Sequence, residues 1–150
     1  MNAPFFDLQE CLGFLTITAN RMLCASLRRE MLRAGMDLTA AQWGVLAQLW
    51  NREGLSQDEL AMVACVDKSS MSRVLTSMEA KGLITRQADP SDARRKLVRP
   101  TAQAQGMKEL AREVTRSVLD LALGGVSERD RAVCLDVLAR VKQTLLQSGM

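Results

Sequence analysis

The 150-residue sequence has no histidine and no tyrosine, and aromatic residues make up 3% of it. Without histidine the commonest general base is missing, and Ser–His or Cys–His nucleophile pairs are excluded. The four cysteines, Cys11, Cys24, Cys65 and Cys134, are scattered, with no Cys-x-x-Cys pair. A zinc site needs Cys or His clustered at short spacing, so neither a metal nor a cofactor is expected. There is no Gly-rich phosphate loop and no candidate carboxylate pair, and an enzyme is not expected. No apolar run approaches the ~18 residues of a membrane span. The first residues lack the basic flank and apolar block of a secretory signal. The expectation is a cytoplasmic protein without a membrane partner.

What is present is one globular domain's worth of chain, 47% hydrophobic and 25% charged. Its formal net charge of +3 is unevenly spread. Lys68 to Arg99 holds eight basic residues against three acidic ones, a net +5, and leaves −2 for the remainder. A basic island on a slightly acidic body points to a polyanionic partner.

Helix signals follow one another along the chain. Leu8, Leu12, Leu15, Ala19 and Met22 alternate spacings of four and three, one face of a long helix ending before Gly35. Thr39 with Gln42 forms a capping box flanked by Leu38 and Trp43. Trp43, Leu46, Ala47 and Trp50 then share a helix face as far as Gly54. Ser56 with Glu59 repeats the box, and Asp67 caps a third helix. In that third helix Met71, Val74, Leu75 and Met78 form the buried stripe, while Lys68, Ser69, Ser72, Arg73, Thr76 and Ser77 face outward. Gly82 closes it. The short Ala64-Cys65-Val66 link makes the last two helices a helix-turn-helix.

Strands are expected around Leu83–Ala88 and Lys96–Arg99, joined by a turn containing Pro90 and carrying Arg94, Arg95 and Lys96. A hairpin placed there is a wing. Two helices end the chain, with stripes through Met107, Leu110, Ala111, Val114, Val118 and Leu121, and through Cys134, Val137, Leu138, Val141 and Leu145. Such long apolar seams at both ends exceed what the central lobe needs and read as an association surface.

The outward face of the third helix suits a major groove about 12 Å wide, where short hydroxyls permit close approach and Arg73 can reach guanine edges or phosphate. Wing cations suit the minor groove. Two copies are expected on a near-palindromic site with centres about 34 Å apart. Solvated surface is the plainer meaning of each piece alone, and Arg73 could instead pair with Asp67 or Glu79. The order of helix-turn-helix and then basic hairpin is what favours DNA.

From Leu38 to Thr101 the sequence resembles the MarR family of bacterial regulators. The resemblance is carried by Leu38-Thr39-Ala40-Ala41-Gln42-Trp43, Asp67-Lys68-Ser69-Ser70-Met71-Ser72-Arg73, Lys81-Gly82-Leu83-Ile84-x-Arg86 and Asp89-Pro90-Ser91-Asp92-x-Arg94. Ala93, Pro100 and Ala104 depart from that pattern. The resemblance implies a mainly α fold with a small β-hairpin wing: a winged helix-turn-helix lobe (37–100) between dimerisation helices (1–36 and 101–150). It also implies an obligate homodimer with Arg94 in the minor groove. The implied activity is repression, sometimes activation, relieved by a small phenolic or anionic ligand where the dimer helices meet the lobe.

The candidate DNA-contacting residues are Ser56, Gln57, Lys68, Ser69, Ser70, Ser72, Arg73, Thr76, Arg86, Arg94, Arg95 and Lys96. Candidate ligand-binding residues are Phe14, Thr18, Arg21, Met36 and Trp43, and the plainer meaning of Phe14, Met36 and Trp43 is that they are simply core. The alternatives are redox sensing through Cys11, which lacks a clear cationic neighbour, and a winged-helix protein-interaction module that never touches DNA.

Overall fold

The computed structural model describes residues 7–52 and 54–149. A short 3-10 turn (Leu8–Glu10) leads into α1 (Leu12–Arg33), then α2 (Ala40–Asn51), β1 (Leu55–Ser56), α3 (Gln57–Ala64) and α4 (Lys68–Ala80). Strands β2 (Ile84–Asp89) and β3 (Asp92–Pro100) form the hairpin, followed by α5 (Ala102–Gly106), α6 (Lys108–Ala122) and α7 (Glu128–Gln147). The result is a mainly α winged helix-turn-helix, as expected.

The helix starts fall where capping chemistry puts them. Thr39 and Ser56 close complete capping boxes with Gln42 and Glu59, and Asp67 accepts from the Ser70 N–H. At the far end of α4 the chain turns on Gly82 at φ +68°. The Leu83 N–H reaches back to the Met78 carbonyl at 2.9 Å, which satisfies a carbonyl the helix would otherwise leave open. The turn between α3 and α4 is made by Cys65, a non-glycine residue at φ 52°.

Three differences from the sequence reading have physical causes. The hairpin is longer than expected, because Asp92 opens β3 by pairing with Asp89, residues 93–95 bulge between that pair and Ala88–Lys96, and only Pro90 and Ser91 remain between the strands. Asp89 stabilises that tight turn by accepting from both the N–H and the hydroxyl of Ser91. A third strand, β1, joins the sheet in the order β1-β3-β2, pairing Leu55 with Val98 and Ser56 with Leu97. Two residues are too short for an alternation signal. The chain after the wing starts with a separate short helix. Thr101 caps α5 while its hydroxyl donates to the Gly82 carbonyl at 2.7 Å, and Met107 divides α5 from α6.

One core runs through the lobe, with Leu38, Leu46, Leu49, Leu60, Leu75, Met78, Ile84 and Val98 almost wholly buried. The deepest face of α2 is Gln42, Val45, Leu46 and Leu49, so Trp43 and Trp50 lie beside the core and are only partly buried. Met31 of α1 and Ala104 and Ala111 beyond the wing join the same cluster, tying the outer helices to the lobe. The rest of the outer helices stays open. Leu12, Leu15, Ile17 and Met22 of α1, Leu121 of α6 and Val133, Leu135 and Leu145 of α7 are exposed, and α7 buries no residue. No helix among the described residues is long and apolar enough to cross a membrane.

Candidate nucleic-acid interface

Helix α4 turns Met71, Leu75 and Met78 into the core and leaves Lys68, Ser69, Arg73 and Thr76 exposed, with Ser70 and Ser72 half-buried. Its first turn is organised by Asp67. That carboxylate accepts from the hydroxyls of Ser69 and Ser70 and from the Ser70 N–H at 2.8 Å, which holds it well below the usual carboxylate range. The anion stands at the positive end of the helix dipole. Arg73 donates to the Ser70 hydroxyl at 3.3 Å rather than to Asp67 or Glu79.

A groove of about 720 Å³ opens between the start of α3, the start of α4 and strand β3. It gathers Ser56 and Gln57, Lys68, and the run Arg94, Arg95 and Lys96 from three separate parts of the sequence onto one wall system with Asp58, Glu59 and Met62. Lys68 pairs with Asp58 at 2.9 Å, and Gln57 reaches the Lys68 carbonyl at 3.5 Å. Arg94 and Lys96 are exposed.

Not every candidate is a free contact. Ser56 is buried and spends its hydroxyl capping α3. Arg95 pairs at 3.2 Å with Glu59, which also meets Arg52 at 3.2 Å and accepts from the Ser56 N–H at 2.8 Å. Those donors, the Ser56 backbone first, hold the Glu59 carboxyl below its ordinary value. Arg86 lies against Glu79 and the Thr76 hydroxyl, inside the lobe's surface rather than beyond it. Sequence reasoning had no signal for these pairings, which join residues up to 36 positions apart.

The five candidate ligand residues are not brought together. Met36 is core, Arg21 is exposed, and the Thr18 hydroxyl bonds the Phe14 carbonyl within α1. Trp43 alone of the five lines a cavity of about 380 Å³ between α2 and α6, with Trp50, Lys108, Arg112, Thr115, Arg116, Asp120 and Arg131 around it. Lys108 is fixed by its bond to the Trp50 carbonyl at 3.1 Å. The indole N–H of Trp50 is buried without an acceptor among the described residues. A buried donor left unpaired is a local cost of this packing. Trp50 and the α6 cations were missed because their shared cavity depends on how α6 crosses α2.

Cys11 sits half-buried as the residue that opens α1. Cys65 and Cys134 are exposed, and Cys24 meets the Asn20 side-chain oxygen at 3.6 Å.

Comparison with known proteins agrees with this geometry. Residues 38–96 match the MarR family. Over 101 residues the chain is 30% identical to the HTH-type transcriptional regulator YdgJ of Bacillus subtilis, a stretch covering 67% of this chain and 62% of that protein. The chain therefore spans less than two thirds of that relative's length. A probable transcriptional regulator from Pseudomonas aeruginosa superposes with a TM-score of 0.78 at 27% identity, covering 90% of this chain and 99% of that one. CouR, a transcriptional repressor, shares the fold at a TM-score of 0.80. Its structure bound to a 23-mer DNA duplex is 22% identical and covers 95% of this chain and 99% of its own. Its Rhodococcus jostii RHA1 structure bound to p-coumaroyl-CoA is 23% identical and covers 90% and 94%. The family match, the relatives and the winged helix-turn-helix agree: the chain belongs to the MarR family of transcriptional regulators.

Proposed function

We propose that this protein is a sequence-specific DNA-binding repressor that acts in the cytoplasm as a homodimer on a near-palindromic operator. The observation that carries this reading is the convergence of Lys68 and Gln57, at the helix starts, with Arg94, Arg95 and Lys96 of the wing on one groove. The acids in that groove, Asp58 and Glu59, each have a cationic partner, so Arg94 and Lys96 stay available to phosphate or to the minor groove. The chain divides functionally into the 37–100 reading lobe and the two terminal segments that join the copies. An interaction module without DNA contact would have no use for exposed Lys68, Arg73 and Arg94 together.

The effector is a small planar acid held in the Trp43–Trp50 cavity. Two indoles supply a stacking wall, and the cations of α6 with Arg131 supply the counter-charge. CouR, the same fold, is solved both on DNA and with an acyl-CoA, which supports pairing the two activities on one scaffold.

Binding should be measured by selecting genomic fragments with purified protein and titrating the best fragment against scrambled competitor at several salt concentrations. Competitor-resistant binding that weakens steeply with salt supports the reading. Equal, weak binding to every fragment would overturn it.

A further inference from the structure

We propose that Lys81 is a positioning residue which, with Asp37 and Arg28, sets the angle between recognition helix α4 and helix α1, and hence the half-site spacing the dimer accepts. The inference rests on the DNA-binding homodimer reading above.

Lys81 is the residue that ends α4. Its ammonium donates to the Asp37 carbonyl at 2.9 Å, the Asp37 carboxylate at 3.1 Å and the Gln42 side-chain oxygen at 3.5 Å. All three acceptors lie in the link between α1 and α2 or in the first turn of α2. From the opposite side Arg28 of α1 donates to the Leu38 carbonyl at 3.1 Å and to the other Asp37 oxygen at 3.3 Å. The two carboxylate oxygens of Asp37 are thus divided, one to α1 and one to α4. A parallel connection runs through Gln42, which is 4% exposed and donates to the Ser77 hydroxyl of α4 at 3.0 Å while its oxygen accepts from the Thr39 N–H.

This bridge does little to hold the lobe together. The Lys81 and Asp37 side chains are 37% and 62% exposed, and pairs that open to water contribute little to stability. The buried cluster around Leu46, Leu75 and Met78 does that work. Orientation is different. A 13-residue helix is about 20 Å long, so a tilt of about 10° at its end moves the other end by about 3.4 Å, one base-pair step. With α1 in the dimer interface, an interaction that joins the end of α4 to α1 governs the distance between the two readers. Lys81 is unsuited to contacting phosphate in this arrangement, because its donors already face the α1–α2 link.

The test compares wild type with Lys81→Met, Lys81→Arg and Arg28→Met. A binding site is first selected from random DNA by the wild-type protein, then remade with its spacer one base pair longer and shorter. Wild type should bind the altered spacers at least about tenfold more weakly than the selected one, the cost of a misplaced contact. Lys81→Met and Arg28→Met should shrink that ratio to about threefold or less, as for loss of a coupled pair. Their affinity for scrambled DNA and their melting temperatures should stay unchanged, and Lys81→Arg should retain most of the discrimination. Arg28 lies on α1, so its variant excludes a lost DNA contact and carries the test alone if Lys81→Met does not fold. Wild-type spacer discrimination in Arg28→Met overturns the proposal while leaving the DNA reading intact. So does a uniform loss across spacers in Lys81→Met with a shallower salt slope, the mark of a phosphate contact. Failure of the wild-type protein to select any sequence overturns both.

Discussion

The Arg86 guanidinium donates to the Thr76 hydroxyl at 3.2 Å, so a residue of the wing's first strand holds one from the middle of the recognition helix. Its Nε lies 3.5 Å from the Glu79 carboxylate, close enough for an ion pair but without a well-aligned hydrogen bond. The Arg86 side chain is 21% exposed, which places it between the two elements rather than on their outer surface. Both partners belong to α4, so Arg86 joins wing to helix.

Arg86→Ala should therefore lower both thermal stability and DNA affinity, because the wing loses its anchor and Glu79 loses its partner. The slope of log affinity against log salt should stay near wild type, since no phosphate contact is removed. A stable variant with its salt slope reduced by about one would instead make Arg86 a direct phosphate ligand.

Arg94→Ala should behave in the opposite way. Arg94 is exposed, and its backbone N–H donates to the Asp92 carboxylate at 3.0 Å, a bond that the substitution keeps. Melting should be unchanged and operator affinity reduced by about 1–3 kcal/mol, the loss expected of a groove contact. Unchanged affinity would remove the wing from the interface.

Asp67 makes the start of α4 sensitive to acid. Hydroxyl donation from Ser69, then from Ser70, holds its carboxyl far below the ordinary aspartate range. A carboxylate depressed in the folded state contributes stability that is fully present above the unfolded pKa and lost as pH falls through the folded one. The loss therefore begins below about pH 4. Asp67→Asn can still cap the helix but cannot titrate. Its melting temperature should lie below wild type at pH 7, and the gap should close as pH falls from about 4 towards 2. A gap independent of pH would show that charge plays no part.

Trp43 and Trp50 are the two tryptophans of the chain, and both line the same cavity. Intrinsic fluorescence is thus a reporter of that cavity alone. Benzoate and larger aromatic acids should quench or shift it saturably, and the matching neutral amides should not. Arg116→Ala with Arg131→Ala should weaken the response to the acids at least about tenfold, since each charged hydrogen bond contributes about 1.5–3 kcal/mol. An equal response to acids and amides would deny the cations a role.

The reading lobe was legible because its signals are local. Thr39/Gln42, Ser56/Glu59 and Asp67 lie within one helical turn of what they cap, and Gly82 supplies a conformation few other residues adopt. The wing's existence was legible in the same way, but its length was not. Pairing of Asp89 with Asp92 depends on Asp89 accepting from Ser91, a detail of turn geometry. The ligand set fared worst. Phe14, Thr18, Arg21, Met36 and Trp43 were grouped by residue type, whereas a cavity is made by the crossing of two helices that periodicity does not orient. Arg95 and Arg86 looked like free cations because Glu59 read as the partner of Ser56 in a capping box and Glu79 as a possible partner of Arg73.

The open faces of α1, α6 and α7 yield the last prediction. Met22 is 73% exposed and Leu121 is 81% exposed, and both line the groove between α1 and α6. A lone exposed leucine is ordinary, but here Ala19, Leu23, Val118, Leu119 and Ala122 line the same groove between α1 and α6, and such an apolar surface is a place for a second copy. Leu121→Glu removes no core contact, so the lobe should keep its fold and its weak affinity for arbitrary DNA. Association should weaken, seen by sedimentation as a shift from two chains towards one, and the melting temperature should become more dependent on concentration. Operator affinity should fall towards the nonspecific level, because a single lobe reads only half a site. Leu121→Glu sedimenting as wild type would move the interface off this groove. A wild-type chain that sediments singly at every concentration would leave two recognition helices with no common frame.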